Sequence, residues 1–152
     1  MKQPAKIILW TDGSAIPNPG RGGFAVIEEH PDGGTPLPVV LGSAPNTTNI
    51  RMEASALIAA IKYAGSTPCE IHTDSEFWVN VITKWAPSWK RNGWRKKTGT
   101  GEIKNLDLVQ ELYELYETHD VELIWTRGHV GTALNELADH WADEARAGVT
   151  LP

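Results

Sequence analysis

Three strand-like runs precede the first stretch with helical spacing, and that order limits the architectures open to the chain. Residues 6–12 (KIILWTD) form a short apolar run closed by GSAIPNPGRGG, whose clustered glycines and prolines read as a turn. Residues 24–30 and 37–43 flank PDGG, as the two arms of a hairpin would. Only then does RMEASALIAAIKYA (51–64) offer an unbroken block of helix formers, stopped by GSTP. Residues 69–74 read as a fourth strand. The helix that follows is capped by Ser75, with apolar spacing at Phe77, Val81, Ile82 and Trp85, until Pro87 interrupts it. Residues 105–119 repeat Leu108, Leu112, Leu115 and Tyr116 on one helical face, and 121–126 alternate as a strand should. The last helix, 134–147, sets Leu134, Leu137, Ala138, Trp141 and Ala145 on a stripe that Gly148 ends. The order βββαβα…αβα implies an α/β fold, a mixed sheet with helices packed on its faces.

A chain of 152 residues suits one domain able to bury a core without disulfide or metal staples. Its 41% hydrophobic and 22% charged residues exclude a disordered or fibrous class. Cys69 is the single cysteine, so no internal disulfide is possible. The apolar run in MKQPAKIILW is too short for a secretory signal, and no stretch approaches the roughly 20 apolar residues of a membrane span. The expected location is the cytoplasm.

A net charge of −5 argues against a polyanionic partner, because a nucleic-acid binder must neutralise phosphates. The average conceals a division. Residues 77–101 contain no Asp or Glu but hold Lys84, Lys90, Arg91, Arg95, Lys96 and Lys97; the remaining 8 basic residues face 19 acidic ones, a balance of −11. A basic segment is set into an acidic body.

Two of the strand runs end in the same dipeptide, Thr11-Asp12 and Thr73-Asp74. Ligands in open α/β sheets sit just beyond the carboxyl ends of strands, where the loops diverge. Taken singly, each aspartate reads first as a turn or cap residue, and it is the pair that points to a site. Glu53 heads the apolar stripe of Leu57, Ala60, Ile61 and Ala64, a costly place for a charge without a partner, although the first turn of a helix also tolerates an exposed acid. Asp139 lies off the stripe of the last helix and, alone, is a solvated face. Hard divalent cations take oxygen ligands, and two of them about 4 Å apart can clamp a phosphodiester displacement. Four carboxylates from separate elements could supply such a site. His129, in RGHVG, could move protons near neutral pH, or be an ordinary exposed loop residue.

TDGS with NPG and GG (11–23), RME (51–53), TDS (73–75), GH (128–129) and NE-x-x-D (135–139) together resemble bacterial ribonuclease H of type 1, in that family's order and near its spacing, over nearly the whole chain. The resemblance implies a ribonuclease H-like fold: a five-stranded mixed sheet, three antiparallel strands and then parallel ones, with helices on both faces. It implies a single domain over 1–152, with a basic handle at about 84–101 and no separate hybrid-binding domain. Asp12, Glu53, Asp74 and Asp139 would be the metal-binding acids for two Mg²⁺ ions, with Mn²⁺ a possible substitute. His129 would be the mobile histidine that assists water activation or product release.

The implied substrate is an RNA–DNA hybrid, whose RNA strand is cut internally to leave 5′-phosphate and 3′-hydroxyl ends. Substrate contacts would come from Gly13 and Ser14, from Asn18 and Asn49 in the minor groove, and from Thr48 at a DNA phosphate. Glu76 and Ser88 also match contact positions. The segment KWAPSWKRNGWRKKTGTGE would be the handle, with Lys84, Trp85, Trp89, Lys90, Arg91 and Trp94 on the DNA strand; interleaved tryptophans and cations suit sugars, bases and phosphates. One or two of those tryptophans could instead fill the core. Ile50, Glu76 and Ser88 depart from the family's usual Asn, Gln and Asn. A monomer is expected. Rival readings are another metal nuclease of this fold and a non-catalytic hybrid-binding module, for which one of the four acids should be missing; none is. A small-molecule phosphatase is disfavoured by the basic segment.

Overall fold

In the computed structural model, which describes residues 6–30, 32–127 and 133–151, the strands are β1 (Ile7–Ala15), β2 (Gly20–Glu29), β3 (Leu37–Thr47), β4 (Cys69–Thr73) and β5 (Val121–Trp125). The helices are α1 (Asn49–Ala64), α2 (Glu76–Asn80), α3 (Ala86–Arg91), α4 (Leu106–Thr118) and α5 (Ala133–Arg146), with a wider helical turn, Val81–Trp85, joining α2 to α3. One five-stranded sheet runs β3-β2-β1-β4-β5. β1, β2 and β3 pair antiparallel, while β4 and β5 add in parallel to β1. This is the α/β arrangement expected from the sequence. Among the described residues no helix is long and apolar enough to cross a membrane.

Alternate side chains of a strand point to opposite faces, so neighbours on β1 serve two cores. Leu9 is fully buried with Leu57, Ile61, Ile71, Trp78, Ile82 and Leu112, on the side covered by α1 and α4. Trp10 packs with Ala25, Ile27, Ala138 and Ala142 under α5. Each fully buried large aliphatic side chain here is worth roughly 1.5–3 kcal/mol relative to exposure. On α4 the buried residues are Val109, Leu112 and Tyr113, one position round from the expected stripe, with Leu108, Leu115 and Tyr116 at its margin.

The glycine-rich segment behaves differently from the expected turn. β1 continues to Ala15 and β2 begins at Gly20, with Gly13 opposite Phe24 and Ser14 opposite Gly23. The reason is close packing: a Cβ at Gly13 would fall on the Met52–Glu53 backbone, and one at Gly23 on the backbone of Ala142 and Arg146. These glycines let α1 and α5 approach the strands from the two sides. Pro87, expected to end a helix, sits instead in the first turn of α3, where its missing N–H costs nothing.

Candidate active site

The parallel neighbours β1 and β4 bring the two Thr-Asp dipeptides side by side at one end of the sheet. Both threonines stiffen that end. Thr11 Oγ1 donates to the His72 carbonyl at 3.2 Å, and Thr73 Oγ1 accepts the Ser75 amide at 3.1 Å. The Trp125 indole Nε1 donates to the Asp74 carbonyl at 3.3 Å, and the Thr126 amide to Thr73 O at 2.8 Å. Asp74 is therefore carried on backbone pinned from β1 and β5.

Glu53 arrives from α1 on one face of the sheet, and Asp139 from α5 on the other. α1 starts where it does because the Thr48 hydroxyl accepts the Arg51 amide at 3.1 Å, leaving Glu53 in the first turns. Arg51 then clamps α1 to the start of α4 through Asn105 Oδ1 and both oxygens of Asp107. On α5, the buried Asn135 donates to the Arg127 carbonyl at 3.4 Å, tying the helix start to the segment after β5.

The four acids meet. Asp12 is 8% exposed, and its pKa is pushed up to about 9, first by burial, then by the charge of Asp74 and by the hydrogen bond and charge of Asp139. Glu53 is raised to about 7, chiefly by burial and also by Asp74, while a hydrogen bond from Ser75 pulls it down. No ion pair among the described residues engages Asp12, Glu53 or Asp139. Carboxylates gathered this closely without a cation resist ionising together, and a positive ion would relieve them. All the donors are oxygens, which fits a hard divalent cation. Among the described residues, no three His, Cys, Asp or Glu side chains stand arranged to hold an ion as they are, so such an ion would have to draw the oxygens inward.

Around the acids, Asn18 Oδ1 accepts the Asn49 amide at 3.2 Å, and Asn49 Oδ1 accepts the Ala15 amide at 2.6 Å. Each side chain has its acceptor engaged, leaving the NH₂ group to donate elsewhere. The Ser14 hydroxyl is buried without a hydrogen-bond partner among the described residues. Glu76 is exposed in the first turn of α2, and Ile50 is 38% exposed at the start of α1. His129 lies outside the described residues, as does Gly128.

Beyond α2 the basic segment projects as α3 and the return loop after it. Phe77 meets Trp85 edge-on at 6.3 Å between ring centroids, and Trp85 meets Trp89 at 6.1 Å. Trp85 is 41% exposed, whereas Trp89 and Trp94 are half-buried. Trp78, which its spacing does not single out, fills the core, its Nε1 donating to the Ile50 carbonyl at 2.8 Å, while Trp89 and Trp94 pack partly buried against the same core. Lys84, Trp85, Ser88 and Trp89 line one open groove together with Lys96, Lys97 and Thr98, three residues that the resemblance does not assign to the site. Lys90 and Trp94 lie elsewhere, against α4. Ser75, legible in the sequence as a cap, is also the partner of Glu53; its place in the TDS run is the signal that points there.

Comparison with known proteins decides the family. The family model for RNase H matches residues 4–147. The chain belongs to the ribonuclease H family. It is 41% identical over 144 residues to a ribonuclease H of Methylorubrum extorquens, covering 94% of this chain but 61% of that longer relative. To the ribonuclease H of Granulibacter bethesdensis it is 41% identical over 140 residues, covering 91% of this chain and 90% of that one. Among solved structures it is similar to LC9-RNase H1, a type 1 RNase H with the type 2 active-site motif, at 34% identity and a TM-score of 0.78 over 99% of this chain and 75% of the other. As a ribonuclease H the chain is an endoribonuclease, of the family that cleaves the RNA strand of RNA–DNA hybrids.

Proposed function

We propose that this ribonuclease H hydrolyses the RNA strand of RNA–DNA hybrids at internal phosphodiesters, leaving 5′-phosphate and 3′-hydroxyl ends, with two Mg²⁺ ions held by Asp12, Glu53, Asp74 and Asp139. One observation carries the reading: carboxylates from two strands and two helices converge at a strand end, with Asp12 and Glu53 held above the usual carboxylate range. The ions, when bound, supply the positive charge that activates water and stabilises the reacting phosphate. Everything else falls to the chain.

The buried face of Asp12 excludes water on the sheet side, so charge there acts at low dielectric. By donating to Glu53, Ser75 favours the ionised carboxylate against the burial that raises its pKa, and Trp125 fixes the backbone from which Asp74 leaves. The free NH₂ donors of Asn18 and Asn49 suit acceptors in a minor groove, where purine N3 and pyrimidine O2 are displayed. Gly13, Ser14 and Thr48 border the same end of the sheet, and the ribose hydroxyl of RNA is what a site reading that groove distinguishes. Glu76 would place a further carboxylate beside the substrate backbone. For His129 the proton-carrying role rests on the resemblance alone.

The test is cleavage of a uniform RNA–DNA hybrid, duplex RNA and duplex DNA in Mg²⁺, with and without chelator, beside Asp12→Asn. Only the hybrid should be cut, the chelator should stop the reaction, and Asp12→Asn should lose at least about 100-fold in turnover while folding normally. Equal cleavage of duplex DNA, or an intact hybrid, would reject the reading.

A further inference from the structure

The ladder between β1 and β4 stops before it reaches the acids. Its last register pair is Trp10 with His72, two residues before Asp12 and Asp74 on their strands. Beyond that pair the two strands share no ladder bond, while the charge of Asp74 opposes that of Asp12. What keeps the two ends together therefore acts at Trp10 and His72 or reaches them from β5.

At that last pair the two rings lie face to face, with centroids 4.1 Å apart and planes 9° from parallel. The buried Trp10 Nε1 has no hydrogen-bond partner among the described residues, so packing under α5 and the ring of His72 fix its position. His72, by contrast, has both ring nitrogens engaged: Nε2 lies 2.7 Å from Glu70 Oε2, and Nδ1 lies 3.1 Å from Thr126 Oγ1. A carboxylate only accepts, so Nε2–H donates to Glu70; the Thr126 hydroxyl, donor and acceptor both, completes the ring at Nδ1. Held on one face and at both edges, the ring cannot turn.

The chain of contacts is tied at each end. Lys6 Nζ, 3.3 Å from Glu122 Oε2 and 4.0 Å from Glu70 Oε1, holds Glu70 beside β5. At the other end Thr126 grips β4 twice, its amide on Thr73 O at 2.8 Å and its hydroxyl on His72. Asp74 is the next residue. Among the described residues no three acids stand ready around an ion, so the carboxylates must swing inward to reach one. They meet there only if the strand ends that carry them stay in place.

We propose that His72 is a positioning residue for the cleavage reaction: stacked on Trp10 and bonded to Glu70 and Thr126, it holds the ends of β1 and β4 at the separation from which Asp12 and Asp74 converge on divalent cations. It acts through the strands that carry the acids. This assignment rests on the metal-dependent reading above.

The experiment measures Mn²⁺ bound by the enzyme without nucleic acid, from the loss of the free ion's electron paramagnetic resonance signal. Beside it run kcat and KM on a uniform RNA–DNA hybrid in saturating Mg²⁺, and the melting temperature. His72→Leu removes the stack and both hydrogen bonds at similar bulk, and Thr126→Val removes one bond and keeps its shape. His72→Leu should weaken Mn²⁺ binding by about 10-fold, the low end for groups that support metal ligands, because it works through the backbone. kcat should fall by a similar factor with KM unchanged. Thr126→Val should move Mn²⁺ affinity and kcat in the same direction, and Thr126→Ser should return both to wild-type values. A lower melting temperature with Mn²⁺ affinity and kcat unaltered would make His72 a packing residue and overturn the assignment. So would a loss in Thr126→Ser equal to that in Thr126→Val, and these two variants decide the matter if His72→Leu does not fold. The wild type separates the two levels. If it binds Mn²⁺ and cuts the hybrid while the variants match it, only the positioning role is wrong; if it binds no ion, the metal reading fails and the assignment with it.

Discussion

Arg51 grips both oxygens of Asp107, at 3.1 and 2.7 Å, two residues before Glu53 leaves the same helix. The pair bolts the first turn of α1 to the start of α4, and so fixes one of the acids from the far side of the core. It is solvent-screened but bidentate, which places its worth near the upper end for surface pairs, about 1 kcal/mol. Asp107→Asn should cost about that much in urea unfolding. A stabilising effect of the same size would show that the pair is not holding the helices together.

The acid cluster makes a stability prediction with a definite sign. In the folded, metal-free protein Asp12 keeps its proton to about pH 9, whereas in the unfolded chain it ionises near 3.8. The folded state thus binds the extra proton between those values, and stability falls as pH rises through that window. Glu53 adds to the slope between 4.5 and about 7. Asp12→Asn removes the larger part, so in chelator it should melt above the wild type at pH 8 and level with it near pH 4. A wild type more stable than Asp12→Asn at pH 8 would contradict the burial assigned to this carboxyl.

Ser75 does two jobs with one hydroxyl: it caps α2 by accepting the Trp78 amide at 3.2 Å, and it donates to Glu53. Ser75→Ala should cost about 1 kcal/mol through the cap. It should also move the Glu53 titration in metal-free protein above its present value of about 7, because the bond it removes is the one that lowers it. Carboxyl carbon shifts followed by NMR would report this, and a downward move would exclude the bond.

Gly23 lies under α5, and its lack of a side chain governs where Asp139 sits. A methyl group there would strike the backbone of Ala142 and Arg146, pushing α5 off the sheet. Gly23→Ala should cost about 1–3 kcal/mol as overpacking, and lower turnover more than substrate affinity. Unaltered stability and turnover together would mean that α5 tolerates displacement.

Much of this is legible in the residues. Alternation and helical spacing mark all five strands and the longer helices, because burial of one face imposes those periods on any chain that folds this way. The paired Thr-Asp ends and the carboxylate heading the stripe of α1 are visible for the same reason: an acid is conspicuous where apolar residues are required. Spacing cannot show that Asp139, off its own stripe, reaches Asp12, since that meeting depends on how α5 crosses the sheet. Nor can it show that neighbouring lysines of the handle line different grooves. Lys90 turns to Glu117 and Lys96 to Trp89 because a reversal at Gly93 and Trp94 splits the segment, and the partner carboxylate is 27 residues away along the chain. Local order and residue type settle which elements form and which chemistry is carried. Distances between elements, and with them the raised pKa values of Asp12 and Glu53 and the partner of Lys90, come only from packing.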